Sequence, residues 1–407
     1  MTAEPHWRSN LFVCTFGAFT TVLAMTVLLP FLPLFVAELA EKQHRTLGQA
    51  GIARWSALCF GATYLASGLA APLWGRVADR FGRKQILIRA SLGMAVCMSL
   101  IGVTQSLWQL LALRLLAGLV GGFASGATVL VATQTPRERS AWALGILSSG
   151  TMAGSVAGPL LGGLLAPAIG IRSTFFLAGG LIFAAFLLVV ALVREAPRPR
   201  PSATAQPSAW RQVPDRRVVA TLLFAGMLLT LANMSIEPIV TLFVAELVST
   251  QATVAPWSGA IMAAAALGSV LAAARVGQLA DRIGHRRVAV WGLVLCALLL
   301  LPQAAVQAAW QLLLLRFAMG MALAGLMPSI TSLIRHAVPP GIAGRILALN
   351  ISAQYVGFVA GPLLGSAVAA HLGMRPVFLA TSLVMLLGAG LLWRGRKSGP
   401  ERVSATV

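Results

Sequence analysis

Residues 75–82 read GRVADRFG, and residues 277–284 read GQLADRIG. A glycine, an aspartate four residues on and a closing glycine thus stand twice in one chain, about 202 residues apart by the numbering. Other pairs keep that spacing. Trp55-Ser56 recurs as Trp257-Ser258, and Trp108-Gln109, with Arg114 beyond it, recurs as Trp310-Gln311 with Arg316. Ala157-Gly-Pro-Leu-Leu-Gly162 returns one residue out of step as Ala360-Gly-Pro-Leu-Leu-Gly365. Leu34-Phe-Val-Ala-Glu-Leu39 returns as Leu242-Phe-Val-Ala-Glu-Leu247. The chain is one unit written twice.

Outward from these motifs, each copy is nearly all apolar. Of 407 residues, 58% are hydrophobic and 10% charged, where a soluble domain carries roughly 25% charged residues. Such a chain cannot cover its own core with polar surface, so its solvent is lipid. Runs of about 20 apolar residues, each enough for one membrane helix, occur near 11–37, 51–73, 86–106, 108–133, 141–166 and 173–193. Six more occur near 218–247, 257–275, 288–307, 310–334, 343–370 and 375–393. The expected fold is all-α and polytopic, with twelve transmembrane spans in two six-helix repeats. The splits at 106/108 and 307/310 are the finest divisions in that count. An even number of spans per copy keeps both copies in one orientation. They are therefore parallel repeats, and substrate sites in such folds lie near the midplane between them. The proline-rich stretch 196–216 reads as a linker between a bundle of residues 1–195 and a bundle of residues 217–407. The start of the chain is short and polar, and the apolar run after it is too long for a signal peptide's core.

The basic residues sit in alternate connections. Arg76, Arg80, Arg83, Lys84 and Arg89 surround the second, and Arg194, Arg198, Arg200, Arg211, Arg216 and Arg217 crowd the sixth. Arg275, Arg282, Arg286 and Arg287 flank the eighth. The positive-inside rule then places both termini and all even connections in the cytoplasm. The formal charge of +20 is thus a topology signal, with contact to anionic lipid as a second use. No compact basic domain exists to carry a nucleic-acid role. Cys14, Cys59, Cys97 and Cys296 lie in apolar runs without metal spacing and read as small core residues. No phosphate-cradling GxxxxGK[ST] loop, metal cluster or nucleophile triad occurs. The reading excludes an enzyme, an ATP-driven pump, a cofactor and a bound metal.

Charges inside a membrane span are costly and mark candidate sites. Arg114 and Arg316 lie about six residues inside spans four and ten, roughly 9 Å at helical rise. Among the acids only Glu237 lies deep in a span, about nine residues from the end of span seven. It reads as a proton-coupling group, a partner in a static salt bridge, or a carboxylate facing lipid. Asn233, Asn350, Gln354, Tyr355 and Tyr64 complete the polar set expected at depth, within an interior of leucine, alanine, methionine and phenylalanine. A cavity so lined suits lipophilic compounds with few fixed hydrogen bonds.

Two further sets are candidates. Gly150, Gly154, Gly158 and Gly162 recur every four residues in span five beside Pro159. Gly357, Gly361 and Gly365 repeat the pattern in span eleven beside Pro362. Small residues at that spacing allow close helix approach, either as static packing or as a seam between the halves that opens and closes. Gly75, Asp79, Gly82 and Arg83, with Gly277, Asp281, Gly284 and Arg286, form the repeated basic connection. An aspartate there can bond helix-start amides and pair with arginine. The second copy is degenerate, with His285 in the register of Arg83.

GRVADRFGRKQIL resembles the signature between the second and third helices of the major facilitator superfamily. LLALRLLAGLVGG is similar to its arginine motif in helix four, and GTMAGSVAGPLLGG to the antiporter motif in helix five. PFLPLFVAEL and SAWALGILSSG look most like the MdtG-type multidrug exporters among its drug/proton antiporters. The resemblance covers nearly the whole chain. It implies that the two aspartates form a cytoplasmic gate, and that Arg114 and Arg316 are held by a family motif. It also implies export of lipophilic or amphiphilic compounds by proton antiport through rocker-switch alternating access. The setting implied is a bacterial inner membrane with the protein monomeric. Related antiporters keep an acid within the first six helices, and none stands at depth there in this chain. The rival readings are a facilitator or exporter of a small metabolite such as a sugar, and a non-transporting sensor or scaffold.

Overall fold

Backbone polar groups in lipid must be satisfied within their own segment, which leaves helices as the economical solution for a chain of this composition. The computed structural model describes residues 6–195 and 209–394, apart from the side chains of Asp79, Arg137 and Ala209. No strand occurs among the described residues, and 12 helices are long and apolar enough to cross a membrane. The first six are span one Trp7–Thr26, span two Gln49–Ala78, span three Arg83–Gly102, span four Leu107–Gln134, span five Ser140–Ile169 and span six Ile171–Leu192. The rest are span seven Arg216–Leu247, span eight Gln251–Ile283, span nine His285–Gln303, span ten Ala309–His336, span eleven Pro340–Leu372 and span twelve Arg375–Arg394. The two fine splits fall on true breaks, since span three ends at Gly102 before Leu107 and span nine at Gln303 before Ala309. Of the expected linker, residues 196–208 lie outside the described residues. Its described end is a short 3₁₀ turn, Ala209–Gln212, followed by Asp215. The Asp215 carboxylate accepts from the amides of Arg217 (3.0 Å) and Val218 (3.1 Å) and so caps span seven.

Three spans are interrupted. Span one stops at Thr26 and resumes as a helix over Leu32–Lys42, which corrects the single run expected over 11–37. Pro30 and Pro33 are the cause, since neither can donate to the preceding turn. Span four breaks at Gly121-Gly122, and span ten at Ala324-Gly325.

The repeat is visible in which spans pack together. Span one lies on five, two on four and three on six. In the same way seven lies on eleven, eight on ten and nine on twelve. The tight reversals also match. Gly82 (φ 95°) joins spans two and three as Gly284 (φ 96°) joins eight and nine, a backbone region that a side chain rarely tolerates. Large apolar side chains such as Phe176, Phe183, Leu187, Trp291, Leu295 and Leu298 point outward, as lipid-facing surface requires.

The glycine stripes belong inside each half, which corrects the expectation of a moving seam. A Cβ on Gly154 would lie 2.7 Å from the Phe19 carbonyl, and one on Gly357 would lie 2.6 Å from that of Met227. Gly150, Gly158 and Gly162 likewise meet span one or the turn after it, and Gly361 and Gly365 meet span seven. Pro159 and Pro362 are buried within these helices. The halves meet elsewhere. Span five touches span eight where a Cβ on Gly163 would lie 2.6 Å from the Ala255 carbonyl, and Gly259 abuts the Pro159 carbonyl. Span two touches span eleven through Gly61 and Gly68, beside Val359 and Tyr355.

The two ends of the molecule therefore differ. At one end Ala53, Ile52, Leu29 and Leu34 join the core of the second half. There the carbonyl of Pro30, freed by the break in span one, accepts from the buried Thr241 hydroxyl of span seven at 3.2 Å. At the opposite, basic end a Cβ on Gly75 or Gly277 would meet nothing within 4 Å.

Candidate functional site

Between the halves lies a cavity of about 390 Å³, with walls from spans one, two, five, seven, eight, ten and eleven. Span seven presents Thr230, Asn233, Met234 and Glu237 to it, spaced at i, i+3, i+4 and i+7, which is one helical face. Span ten presents Arg316, Met319, Gly320, Leu323 and Met327 by the same rule. Tyr64 and Gln354 close it from spans two and eleven, and the Tyr64 ring stacks on Phe358 with centroids 4.4 Å apart.

Tyr64, Asn233, Glu237, Arg316 and Gln354, all expected at a cavity, are brought together in this one. Glu237 and Arg316 face the same space as opposite charges without a direct ion pair. The carboxylate Oε2 and the Arg316 Nε and Nη2 have no hydrogen-bond partner among the described residues. A buried carboxylate and a buried guanidinium left with open valences are set up to accept a proton or a ligand. The static salt bridge expected as one alternative is not formed, and Glu237 does not face lipid.

Three expected members lie elsewhere. Arg114 is buried within the first half, where its Nε donates to the Cys59 carbonyl at 3.4 Å and its own carbonyl accepts from Thr63 at 3.0 Å. It ties span four to span two. Asn350 is buried against Gly226 of span seven. Tyr355 lines a second cavity of about 490 Å³ at the basic end, together with Gly75, Arg83 and Ser352. The sequence distinguished none of these from the cavity set, because depth along a helix says nothing about which face a residue occupies.

Residues missed from the sequence are the apolar and hydroxyl lining. Met234, Met262, Met319 and Met327 with Phe60 and Phe358 give the wall its large flexible and aromatic side chains. A step of three or four residues from Glu237 or Arg316 finds Met234 and Met319, which is the signal that was present. The hydroxyls of Thr26, Ser155 and Thr230 are already spent on backbone carbonyls at 2.9, 2.8 and 3.0 Å. Tyr64, Asn233, Glu237, Ser269, Arg316 and Gln354 are the polar groups that face the space.

Contacts described beside the gate motif lie within each half. Glu195, at the end of span six, accepts from the Lys84 amide at 2.8 Å, and the Lys84 ammonium donates to the Val190 carbonyl at 3.0 Å. In the second copy Arg286 donates to the Leu392 carbonyl at 2.9 Å, and exposed Asp281 lies 3.6 Å from His285. The side chain of Asp79 lies outside the description. The return of span six beside span three is what brings Glu195 to this place.

The Major Facilitator Superfamily model matches residues 14–247 and again 222–406. Multidrug resistance protein MdtG of Serratia proteamaculans is 40% identical over 98% of this chain and 96% of its own. The protein of that name from Salmonella typhi is 41% identical over 95% of each. Among solved structures, a bacterial homolog of the human lysosomal transporter Spinster, inward-facing and unoccupied, aligns over 97% of this chain and 98% of its own, with a TM-score of 0.77 and 15% identity. The human organic anion transporter MFSD10 aligns over 96% of this chain and 100% of its own, with a TM-score of 0.66 and 20% identity.

Proposed function

This chain belongs to the Major Facilitator Superfamily, and from that premise we propose that it is a multidrug exporter of lipophilic or amphiphilic compounds driven by proton antiport. The single observation that carries the reading is the central cavity. It is walled by four methionines and two phenylalanines and holds one carboxylate, Glu237, beside one guanidinium, Arg316. Methionine-rich apolar walls repack around varied shapes. A carboxylate at the midplane can take up a proton from one side and release it to the other as access alternates. The multidrug resistance proteins at 40% and 41% identity support this substrate class.

Residues 1–195 and 217–407 are the rocking units in this scheme, joined by the linker 196–216. The basic end faces the cytoplasm by the positive-inside rule, so both termini are cytoplasmic, the membrane is the bacterial inner membrane and the state described is inward-facing. Asp79 and Asp281 with their glycines and Arg83 and Arg286 latch that end when it closes. The protein acts as a monomer. The test is drug uptake into inverted vesicles under an imposed pH gradient, across a panel of lipophilic cations, neutral drugs and sugars. Gradient-driven accumulation of lipophilic compounds is expected. Accumulation of sugars alone, or no dependence on the gradient, would overturn the reading.

A further inference from the structure

An apolar groove apart from the central cavity runs between spans one and five at the basic end of the first half. Its volume is about 690 Å³. Spans one and five form its walls, and the floor runs along Leu11, Phe12, Phe16 and Phe19 as far as Gly150. Its mouth carries a cluster that the transport cycle does not use. Trp7 and Trp142 meet edge to face at 6.5 Å. The guanidinium of Arg8 lies 5.4 Å from the Trp7 ring, and that of Arg139 lies 6.0 Å from the same ring. Neither arginine has an ion-pair partner among the described residues. Trp142 is 58% and Phe12 64% exposed. Paired indoles with cations at the end of a span mark the depth of lipid headgroups.

The second half serves as an internal control. Gly154 resting on Phe19, as Gly357 rests on Met227, sets the register between the copies. In that register Asp215 stands for Trp7, Ile342 for Arg139 and Arg345 for Trp142. Arg216 stands for Arg8, so two cations remain in the second half; what is particular to the first half is the aromatic pair, which is not a consequence of the repeated fold or of basic loops in general.

We propose that this groove is a binding site for one anionic phospholipid of the leaflet at the basic end, its phosphate held between Arg8 and Arg139 and one acyl chain laid along Phe12, Phe16 and Phe19. Charge complementarity selects the headgroup. The apolar floor, with Phe12 exposed, selects a chain-bearing ligand over free phosphate.

The experiment measures lipid retained on the purified full-length protein by native mass spectrometry, after addition of phosphatidylglycerol, phosphatidylethanolamine or glycerol phosphate. Phosphatidylglycerol is expected to be retained over both. Arg8→Gln with Arg139→Gln should weaken that retention about thirtyfold, on the scale expected for two surface arginines. Arg211→Gln with Arg217→Gln removes equal charge from exposed positions of the second half and should leave it unchanged. Trp142→Arg, which installs the residue of the other copy, should weaken retention while leaving net charge higher. Equal loss in both double variants would overturn the proposal in favour of diffuse charge. So would undiminished retention in Arg8→Gln/Arg139→Gln, or glycerol phosphate competing as well as the lipid.

Discussion

Span four and span ten are copies of one segment, and both are interrupted part-way, yet the interruptions are held differently. In the first half the carbonyls freed at Gly121-Gly122 are gathered by two side chains from neighbouring spans. The Trp74 indole donates to Leu119 at 2.6 Å, and Arg89 donates to Gly121 at 2.8 Å while lying 3.4 Å over the Trp74 ring. In the second half the matching places hold Val276 and Trp291, and the break at Ala324-Gly325 is packed against the Val276 side chain. The central cavity shows the opposite bias. Glu237, Asn233, Arg316 and Gln354 all come from the second half, while the first contributes Tyr64 and mainly apolar wall. Duplication gave each half the same frame. Divergence then placed the polar clamp on the interrupted span in one half and the cavity charges in the other.

The largest expected effect tests that division directly. Glu237→Gln should abolish gradient-driven accumulation in inverted vesicles while substrate still binds, whereas Glu195→Gln in the first half should leave coupling intact. If Glu237→Gln concentrates drug as the parent does, the charge asymmetry has no part in coupling. Next is the contact between the halves. Gly163→Val drives a side chain into the Ala255 carbonyl. Overpacking of this kind costs about 1–3 kcal/mol, and here it should remove most transport by holding the closed end apart. Gly145→Val on the same helix meets open space and should be silent. Transport equal in the two variants would mean that this contact does not govern closure.

A smaller, selective effect is expected at the wall. Met262→Ala or Met319→Ala should change resistance to individual compounds several-fold, raising some and lowering others, without loss of coupling. A uniform change across the panel would show that the methionines serve packing alone. The smallest effect concerns the interruptions. Arg89→Gln removes charge-assisted hydrogen bonds worth about 1–3 kcal/mol and should lower the melting temperature by a few degrees. Trp291→Leu, at the matching lipid-facing place, should change it little. Equal shifts would mean that the clamp on span four is no tighter than the packing around span ten.

Much of this was readable before any coordinates, for definite reasons. GRVADRFG and GQLADRIG fixed the duplication, and a duplicated unit fixes the topology of its copy. Arginine spacing marked one face of the bundle as basic. The cavity was half readable, since Glu237 and Arg316 are rare charges at depth and their i+3 and i+4 neighbours share their face. Arg114 and Arg316 look alike in sequence and end in unlike places, because what surrounds each is supplied by other spans. The same limit applied to the glycine stripe. Its spacing announces a close helix partner, but not that the partner is span one of the same half. The break in span one was visible as Pro30 and Pro33, and the apolar character on both sides hid it.

That break has a thermodynamic consequence. The Pro30 carbonyl and the Thr241 hydroxyl satisfy each other across the two halves, out of reach of water, at the end where the halves are joined. Any rearrangement that parts this end strands both groups until solvent reaches them, and an unmet buried polar group costs about 1–3 kcal/mol. That transient cost is a barrier to parting the halves at this end, set by a single bond between them.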